Sequence, residues 1–283
     1  MGEKRVGVLY LVATPIGNLG DITKRAIEVL EHVDLIACED TRRTRKLLSH
    51  LEIGKPLMAV PSHDEPRRAR ALVEHLVAGR SVAFASDAGM PGISDPGAAL
   101  VAAAVDAGAR VVPVPGVSAA VTALSVSGLP SSRFTFLGFL PRKGKERKRL
   151  LADFGSLPAA LVIHEAPRRL AGTLRDLVEV LGGNRLAVVC RELTKMHEEI
   201  GRGSLEDLSV RFAEGTRGEV TLVVAPSQGR QEGKASKLSK EEALEAVARR
   251  VRAGERLKDA CNALAPDSEV DSRTLYREWQ RTR

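Results

Sequence analysis

The feature that most constrains this chain is a repeated grammar. A short apolar run ends in a loop bearing glycine and proline, and the loop feeds a segment of helical period. The sharpest instance is Ser86–Gly97, S-D-A-G-M-P-G-I-S-D-P-G. It follows Arg80–Ala85, an apolar run suited to a buried strand of a parallel sheet. It precedes Ala98–Ala107, an alanine-rich helix for which Asp95 reads as N-cap and Pro96 as the first helical residue. In an open α/β sheet such a loop lies at the carboxyl ends of the strands, where ligands bind. Asp87 follows the strand directly, in reach of a ligand cation or hydroxyl. The same residues also suit a plain turn whose glycines, Gly89 and Gly92, serve chain geometry alone.

The grammar recurs in order along the chain. Val6–Val12 leads into A-T-P-I-G-N-L-G, and Ala26, Ile27, Leu30 and Val33 follow at helical spacing. This loop is not a dinucleotide fingerprint, because it holds only Gly17 and Gly20, and no G-x-x-x-x-G-K-S/T occurs anywhere. Leu35–Cys38 reads as a second strand, Pro56–Val60 as a third before a helix at Pro66–Ala78, and Arg110–Val114 as another, ending in P-G-V-S-A. Strands alternating with helices through residue 126 predict an α/β domain with a largely parallel sheet. Gly128–Arg133 then carries the chain towards a second unit. Its strands are expected at Phe134–Leu140, Leu161–His164, Leu186–Cys190 and Val220–Val224, with helices at Leu170–Leu181 and Ser204–Phe212. Ser227–Lys240 has the composition of a linker, and Glu241–Val251, Leu257–Leu264 and Ser272–Gln280 read as three short helices. The expected domains are 1–120, 121–227 and, for linker plus helices, 228–283.

Composition narrows the function. The 283 residues are 43% hydrophobic, enough for a substantial core, and only 3% aromatic, which disfavours a stacking platform for single strands. A formal charge of +7 favours a polyanionic partner. Cys38, Cys190 and Cys261 are far apart, so neither a disulfide framework nor a zinc site is expected, and a reducing cytoplasm is. The run at Val6–Val12 is too short to span a bilayer, so no membrane attachment is expected. Charge gathers after strands. Glu39 and Asp40 precede Arg42, Arg43 and Arg45; Glu165 precedes Arg168 and Arg169; and 141–149 holds six bases and one acid. The last run fits either a solvated helix face or a phosphate contact. The basic residues of the last three helices fit a small nucleic-acid-binding bundle as well as an ordinary helical cap.

Four stretches, L-Y-L-V-A-T-P-I-G-N-L-G-D-I-T, A-C-E-D-T-R-R-T, S-D-A-G-M-P-G-I-S-D-P-G and P-V-P-G-V-S-A-A-V-T-A-L, resemble the tetrapyrrole-methylase-like (class III) S-adenosylmethionine methyltransferases. G-F-L-P-R-K-G-K-E-R, H-E-A-P-R-R-L, C-R-E-L-T-K and R-G-E-V-T-L-V-V extend the resemblance, in order, over nearly the whole chain. They point to the branch that 2′-O-methylates a cytidine in the decoding region of small-subunit (16S) ribosomal RNA. Two places depart from the family pattern: P-S-H-D-E at 61–65, and His164 and Arg168 around E-A-P.

The resemblance implies two α/β domains with the methyl donor in the cleft between them, a small helical domain at the carboxyl end, and a homodimer. S-adenosylmethionine is the implied donor, with no metal. Its expected contacts are Pro15, Gly17, Asp87, Gly89, Ser94, Pro115, Gly116, Ser118 and Glu219, because glycine turns bring backbone close to a ligand. Arg42, Arg43, Arg142, Lys143, Lys145 and Arg147 are the expected RNA contacts. Glu39, Glu165 and Lys143, in that order, are the candidates to take the ribose proton. Two other readings stay open: a methylase of the same fold acting on a tetrapyrrole or another small molecule, and a non-catalytic RNA-binding or ribosome-assembly module.

Overall fold

The computed structural model describes residues 6–93, 96–227, 238–252, 254–265 and 268–281. Two compact units divide between Pro226 and Ser227. The larger contains two five-stranded sheets. The first comprises β1 (Val8–Val12), β2 (Leu35–Cys38), β3 (Leu57–Ala59), β4 (Val82–Ala85) and β5 (Arg110–Val114), in the order β3-β2-β4-β1-β5. Every neighbouring pair is parallel. The connecting helices are α1 (Lys24–His32), α2 (Thr41–His50), α3 (Glu65–Val77) and α4 (Ala98–Asp106).

Connections leaving β1 and β2 run towards β3, and those leaving β3 and β4 run back towards β5. Right-handed crossovers therefore put α1 and α2 on one face and α3 and α4 on the other. The side chains agree. Ile36, Ala83 and Ala85 pack with Leu30 of α1 and Leu48 of α2. Their strand neighbours Leu35, Ala37, Val82 and Phe84 pack with Leu72 of α3 and Leu100 of α4. Burial on both faces is why these strands read as unbroken apolar runs. The winding reverses between the adjacent strands β1 and β4, so the chain leaves their carboxyl ends for helices on opposite faces, the place where such sheets form a ligand crevice.

The second sheet holds β6 (Phe134–Phe139), β7 (Ala160–Glu165), β8 (Leu186–Arg191), β9 (Glu199–Ser204) and β10 (Val220–Val224), in the order β6-β7-β10-β8-β9. Only β6 and β7 are parallel. Helix α5 (Ala119–Ser127) precedes it, and α6 (Gly144–Gly155), α7 (Leu170–Leu181) and α8 (Leu205–Arg211) interrupt it. Leu151, Leu174 and Leu208 of α6, α7 and α8 cover one face. Ala123 and Leu124 of α5 cover the other, with Ile16 from the loop after β1 in the same cluster. The alternation that the sequence carries through residue 126 thus ends its first sheet at β5, and α5 belongs to the packing of the second.

Two details differ from the sequence reading. Helix α4 starts at Ala98 with Gly97 as N-cap, so Pro96 precedes the helix; Asp95 lies outside the described residues. The free N–H groups of that helix start are satisfied from another helix: Glu65 Oε1 accepts from Gly97 (2.8 Å), Ala99 (3.0 Å) and Leu100 (3.3 Å). Also, β9 is an edge strand where no strand was expected, because E-I-G-R-G-S carries little apolar signal.

The smaller unit packs α9 (Lys240–Arg252), α10 (Leu257–Leu264) and α11 (Ser272–Arg281) around Val247, Ala260, Cys261, Leu264 and Leu275. Among the described residues no helix is long and apolar enough to cross a membrane.

Candidate active site

The loops that leave β1 and β4 are zipped together at the crevice. Thr14 and Gly89 exchange both backbone hydrogen bonds, at 3.0 and 2.9 Å. Thr14 Oγ1 donates to the Ser86 carbonyl (3.0 Å) and Ser86 Oγ donates to the Gly89 carbonyl (2.6 Å). Both hydroxyls are buried and satisfied, so they fix the loop backbone and leave the following residues to face outwards. Asp87 is the first of these.

The second sheet reaches the same place through residues 192–195, which follow β8. Thr194 Oγ1 accepts the N–H of Asn18 (3.1 Å), and Glu192 Oε1 accepts the N–H of Glu219 (2.8 Å). A side chain at position 17 would collide with Lys195, Thr194 Oγ1 (2.8 Å) and the Leu193 carbonyl (3.0 Å), so only glycine permits this approach. Glu192 (φ 52°) and Thr194 (φ 66°) both hold the left-handed conformation. Such backbone costs on the order of 1–3 kcal/mol per residue and is kept where surrounding contacts over-determine it.

Two adjoining cavities result. One of about 450 Å³ is lined by Thr14, Pro15, Gly17, Lys46 and Lys195. The other, of about 440 Å³, is lined by Gly89, Met90, Ser118, Ala119, Glu39, His164 and Glu165. Ile16, Arg43, Asp87, Ala88 and Glu219 border both, so they form two lobes of one cleft.

The acids in this cleft differ in how many donors they receive. Burial pushes the Asp87 carboxyl up, against the hydrogen bond from the Asp40 N–H (3.1 Å) and the Arg43 guanidinium at 3.8 Å. Glu39 accepts one hydrogen bond, from Ser62 Oγ at 2.7 Å. Glu165 is 2% exposed and receives three donors: the Thr173 hydroxyl (2.6 Å), its neighbour's N–H at Ala166 (2.8 Å) and the Arg169 guanidinium (3.2 Å). Lys195 donates to Glu192 (2.8 Å) and Glu219 (3.0 Å). Burial lowers its pKa, but the two carboxylates outweigh that and raise it. His164 is held by Thr221 Oγ1 (3.1 Å) between Phe136 and Phe139, and burial lowers its pKa, keeping the ring neutral near pH 7.

The cleft brings together Pro15, Gly17, Asp87, Gly89, Ser118, Glu219, Glu39, Glu165 and Arg43. Pro15 and Gly17 line the first lobe, Gly89 and Ser118 the second. Pro115 and Gly116 lie on the exposed loop after β5 and line neither lobe. A Cβ on Gly116 would meet Ala13 Cβ at 2.8 Å, so this glycine answers to the approach of the β1 exit. Ser94 lies outside the described residues. Lys143 is 81% exposed, pairs with Glu146 at 3.2 Å and lines neither lobe. Asp40 caps α2, accepting the Arg42 N–H at 2.9 Å, and it also holds the largely exposed Arg42 side chain. Lys145 is exposed, while Arg147 is half-buried against Asp176 at 2.5 Å. Sequence reasoning passed over Glu192, Thr194, Lys195 and His164 as site residues. The motif R-E-L-T-K was visible, but nothing local says that its loop reaches across to Gly17. Among the described residues, no three His, Cys, Asp or Glu side chains gather as a metal site would need.

Comparison with known proteins matches this architecture. Residues 8–209 fit the family model for tetrapyrrole (corrin/porphyrin) methylases. The chain is 44% identical over 278 residues to the ribosomal RNA small subunit methyltransferase I of Halalkalibacterium halodurans, covering 95% of this chain and 93% of that one. It is 49% identical over 221 residues to the protein of the same name from Synechocystis, covering 78% and 79%. The uroporphyrin-III C-methyl transferase of Thermus thermophilus, solved in complex with S-adenosyl homocysteine, superposes with a TM-score of 0.57 at 21% identity, over 77% of this chain and 97% of that one. The chain belongs to the tetrapyrrole methylase family and, within it, to the ribosomal RNA small subunit methyltransferase I group.

Proposed function

We propose that this protein transfers a methyl group from S-adenosylmethionine to the ribose 2′-hydroxyl of a cytidine in the decoding region of small-subunit (16S) ribosomal RNA. The observation that carries the reading is the two-lobed cleft, bordered throughout by the under-supplied carboxylate of Asp87. A partly buried acid with few donors favours a cationic ligand. The lobe of Gly89, Met90, Ser118 and Ala119 combines close backbone with apolar walls, and these residues would hold the donor. The lobe with Arg43, Lys46 and Lys195 has the charge to receive a nucleotide. When bound, S-adenosylmethionine supplies a methyl group already activated by its sulfonium.

The protein's own contribution is therefore mostly alignment, with a proton acceptor adding a factor of roughly 10²–10⁴. Of the three sequence candidates, Glu39 both lines the cleft and retains lone pairs beyond its one hydrogen bond. Glu39 takes the hydroxyl proton. Glu165, saturated by three donors, positions the loop that carries Arg168 and Arg169. A homodimer in the cytoplasm, with 16S rRNA or the small ribosomal subunit as partner, belongs to the same proposal. Sedimentation giving only a 30.4 kDa species would remove the dimer.

The test is methyl transfer to small ribosomal subunits, with the modified nucleotide located by mass spectrometry. A 2′-O-methylcytidine in the decoding region is the expected product. Transfer to a tetrapyrrole but not to subunits would favour the small-molecule reading, and donor binding without any transfer to RNA would contradict the proposal.

A further inference from the structure

A second concavity, of about 380 Å³, is lined by five arginines: Arg142 after β6, Arg147 on α6, Arg168 and Arg169 after β7, and Arg175 on α7. Two of them are already engaged. Arg147 bonds Asp176 at 2.6 Å and reaches the Pro141 carbonyl at 3.4 Å. Arg169 donates to the carbonyls of Leu140 (2.7 Å) and Pro141 (3.2 Å) and pairs with Glu165. These contacts stitch the loop after β6 to the loop and helix after β7, and so hold the concavity in shape. Arg142, Arg168 and Arg175 are exposed and have no ion pair among the described residues. The neighbouring buried acids, Asp176 and Glu165, are matched by the two engaged arginines, so the three others leave a net positive site. Gly172, which also lines it, has nothing within 4 Å of where a Cβ would stand.

Placement says what such a site would hold. Pro167 and Glu165 line the donor lobe of the cleft, and Arg168 and Arg169 follow immediately in the chain. Planar guanidinium groups converging on an open hollow match the geometry of phosphate oxygens. We propose that this hollow seats a backbone phosphate of the RNA strand beside the nucleotide to be methylated, with Arg142, Arg168 and Arg175 as its ligands. The inference rests on the proposed action on ribosomal RNA. It also shifts the RNA contact from the whole 141–149 run towards residues of the β7–α7 connection that the run does not include.

The test compares the parent with Arg142→Gln/Arg168→Gln/Arg175→Gln and with Gly172→Glu, which keeps every arginine but places an acid in the hollow. Gly172→Gln controls for size, and Arg67→Gln/Arg70→Gln/Arg110→Gln controls for net charge. Binding of a single-stranded RNA oligonucleotide is measured across a salt series, together with KM and kcat on small subunits. For the triple variant, which gives up one phosphate, the log–log salt slope should fall by about 0.7. KM should rise about tenfold or more while kcat at saturation stays within about threefold, the pattern of lost binding without lost chemistry. Gly172→Glu should move in the same direction and both controls should not. An unchanged slope and KM in the triple variant, or an equal change in the charge control, would overturn the phosphate site. If the parent methylates no subunits, the function reading fails, while the oligonucleotide slopes still decide for or against the hollow.

Discussion

Acids at or beyond the carboxyl edges of the two sheets meet different surroundings. On the first sheet, Glu39 after β2 receives one hydrogen bond, and Asp87 after β4 receives one N–H with a guanidinium at 3.8 Å. On the second, Glu165 at the end of β7 receives three donors, and Asp176 on α7 holds both Arg147 and Lys148. The difference lies in what the following segment supplies. After β2, Arg42 turns to Asp40 and Arg43 stands 3.8 Å from Asp87, so neither pairs with Glu39, whereas after β7 Arg169 and Thr173 fold back onto the acid. An acid at a strand end is thus available for chemistry only when its own helix leaves it short of donors.

Glu39→Gln should sharpen this comparison most: single-turnover methyl transfer should slow by roughly 10²–10⁴ while both substrates still bind. A rate within a few-fold of the parent would leave alignment alone to carry the reaction. Glu165→Ala should act on stability instead, since it strands the buried Thr173 hydroxyl and leaves the Arg169 guanidinium only its two carbonyl acceptors. A loss of about 3–5 kcal/mol is expected in denaturant unfolding. Gly116→Val should cost about 1–3 kcal/mol by overpacking against Ala13, with donor affinity little changed in the folded fraction. Lys143→Ala sits at the other end of the scale. Its pair with Glu146 is exposed, so stability should move by no more than about 0.5 kcal/mol and donor affinity should not move.

The regular parts of the fold were legible because strand and helix periods there coincide with burial. Leu170–Leu181, Leu257–Leu264 and Val220–Val224 were each expected over the residues they occupy. The edge strand β9 was not, because Glu199 and Arg202 face ion pairs and carbonyls in place of a core. That Gly17 and Asp87 would line a cleft was legible from loop chemistry next to a strand. Lys195 and Thr194 were not, because their role depends on a loop from one sheet meeting a loop from the other. The N-cap of α4 shows the same limit: Asp95 looked the natural cap, yet the N–H groups go to Glu65, distant in sequence.

The most direct test of the contrast between the two edges is calorimetric titration of S-adenosylmethionine across pH with the parent, Asp87→Asn and Glu165→Gln. Burial raises Asp87 above its ordinary 3.8, so the folded protein binds that proton more tightly than the unfolded chain. Its contribution to stability is present below 3.8 and lost as the pH rises through the raised value. A cationic ligand favours the ionised form, so donor affinity should weaken as the pH falls through that same range. Asp87→Asn should lose about ten- to a hundredfold in affinity at neutral pH, as for a charged hydrogen bond worth about 1.5–3 kcal/mol, and should lose the acidic pH dependence with it. Glu165→Gln, wherever it remains folded, should keep both the affinity and the pH profile of the parent. If instead Asp87→Asn binds the donor like the parent and Glu165→Gln does not, the assignment of binding to the first edge and scaffolding to the second is contradicted.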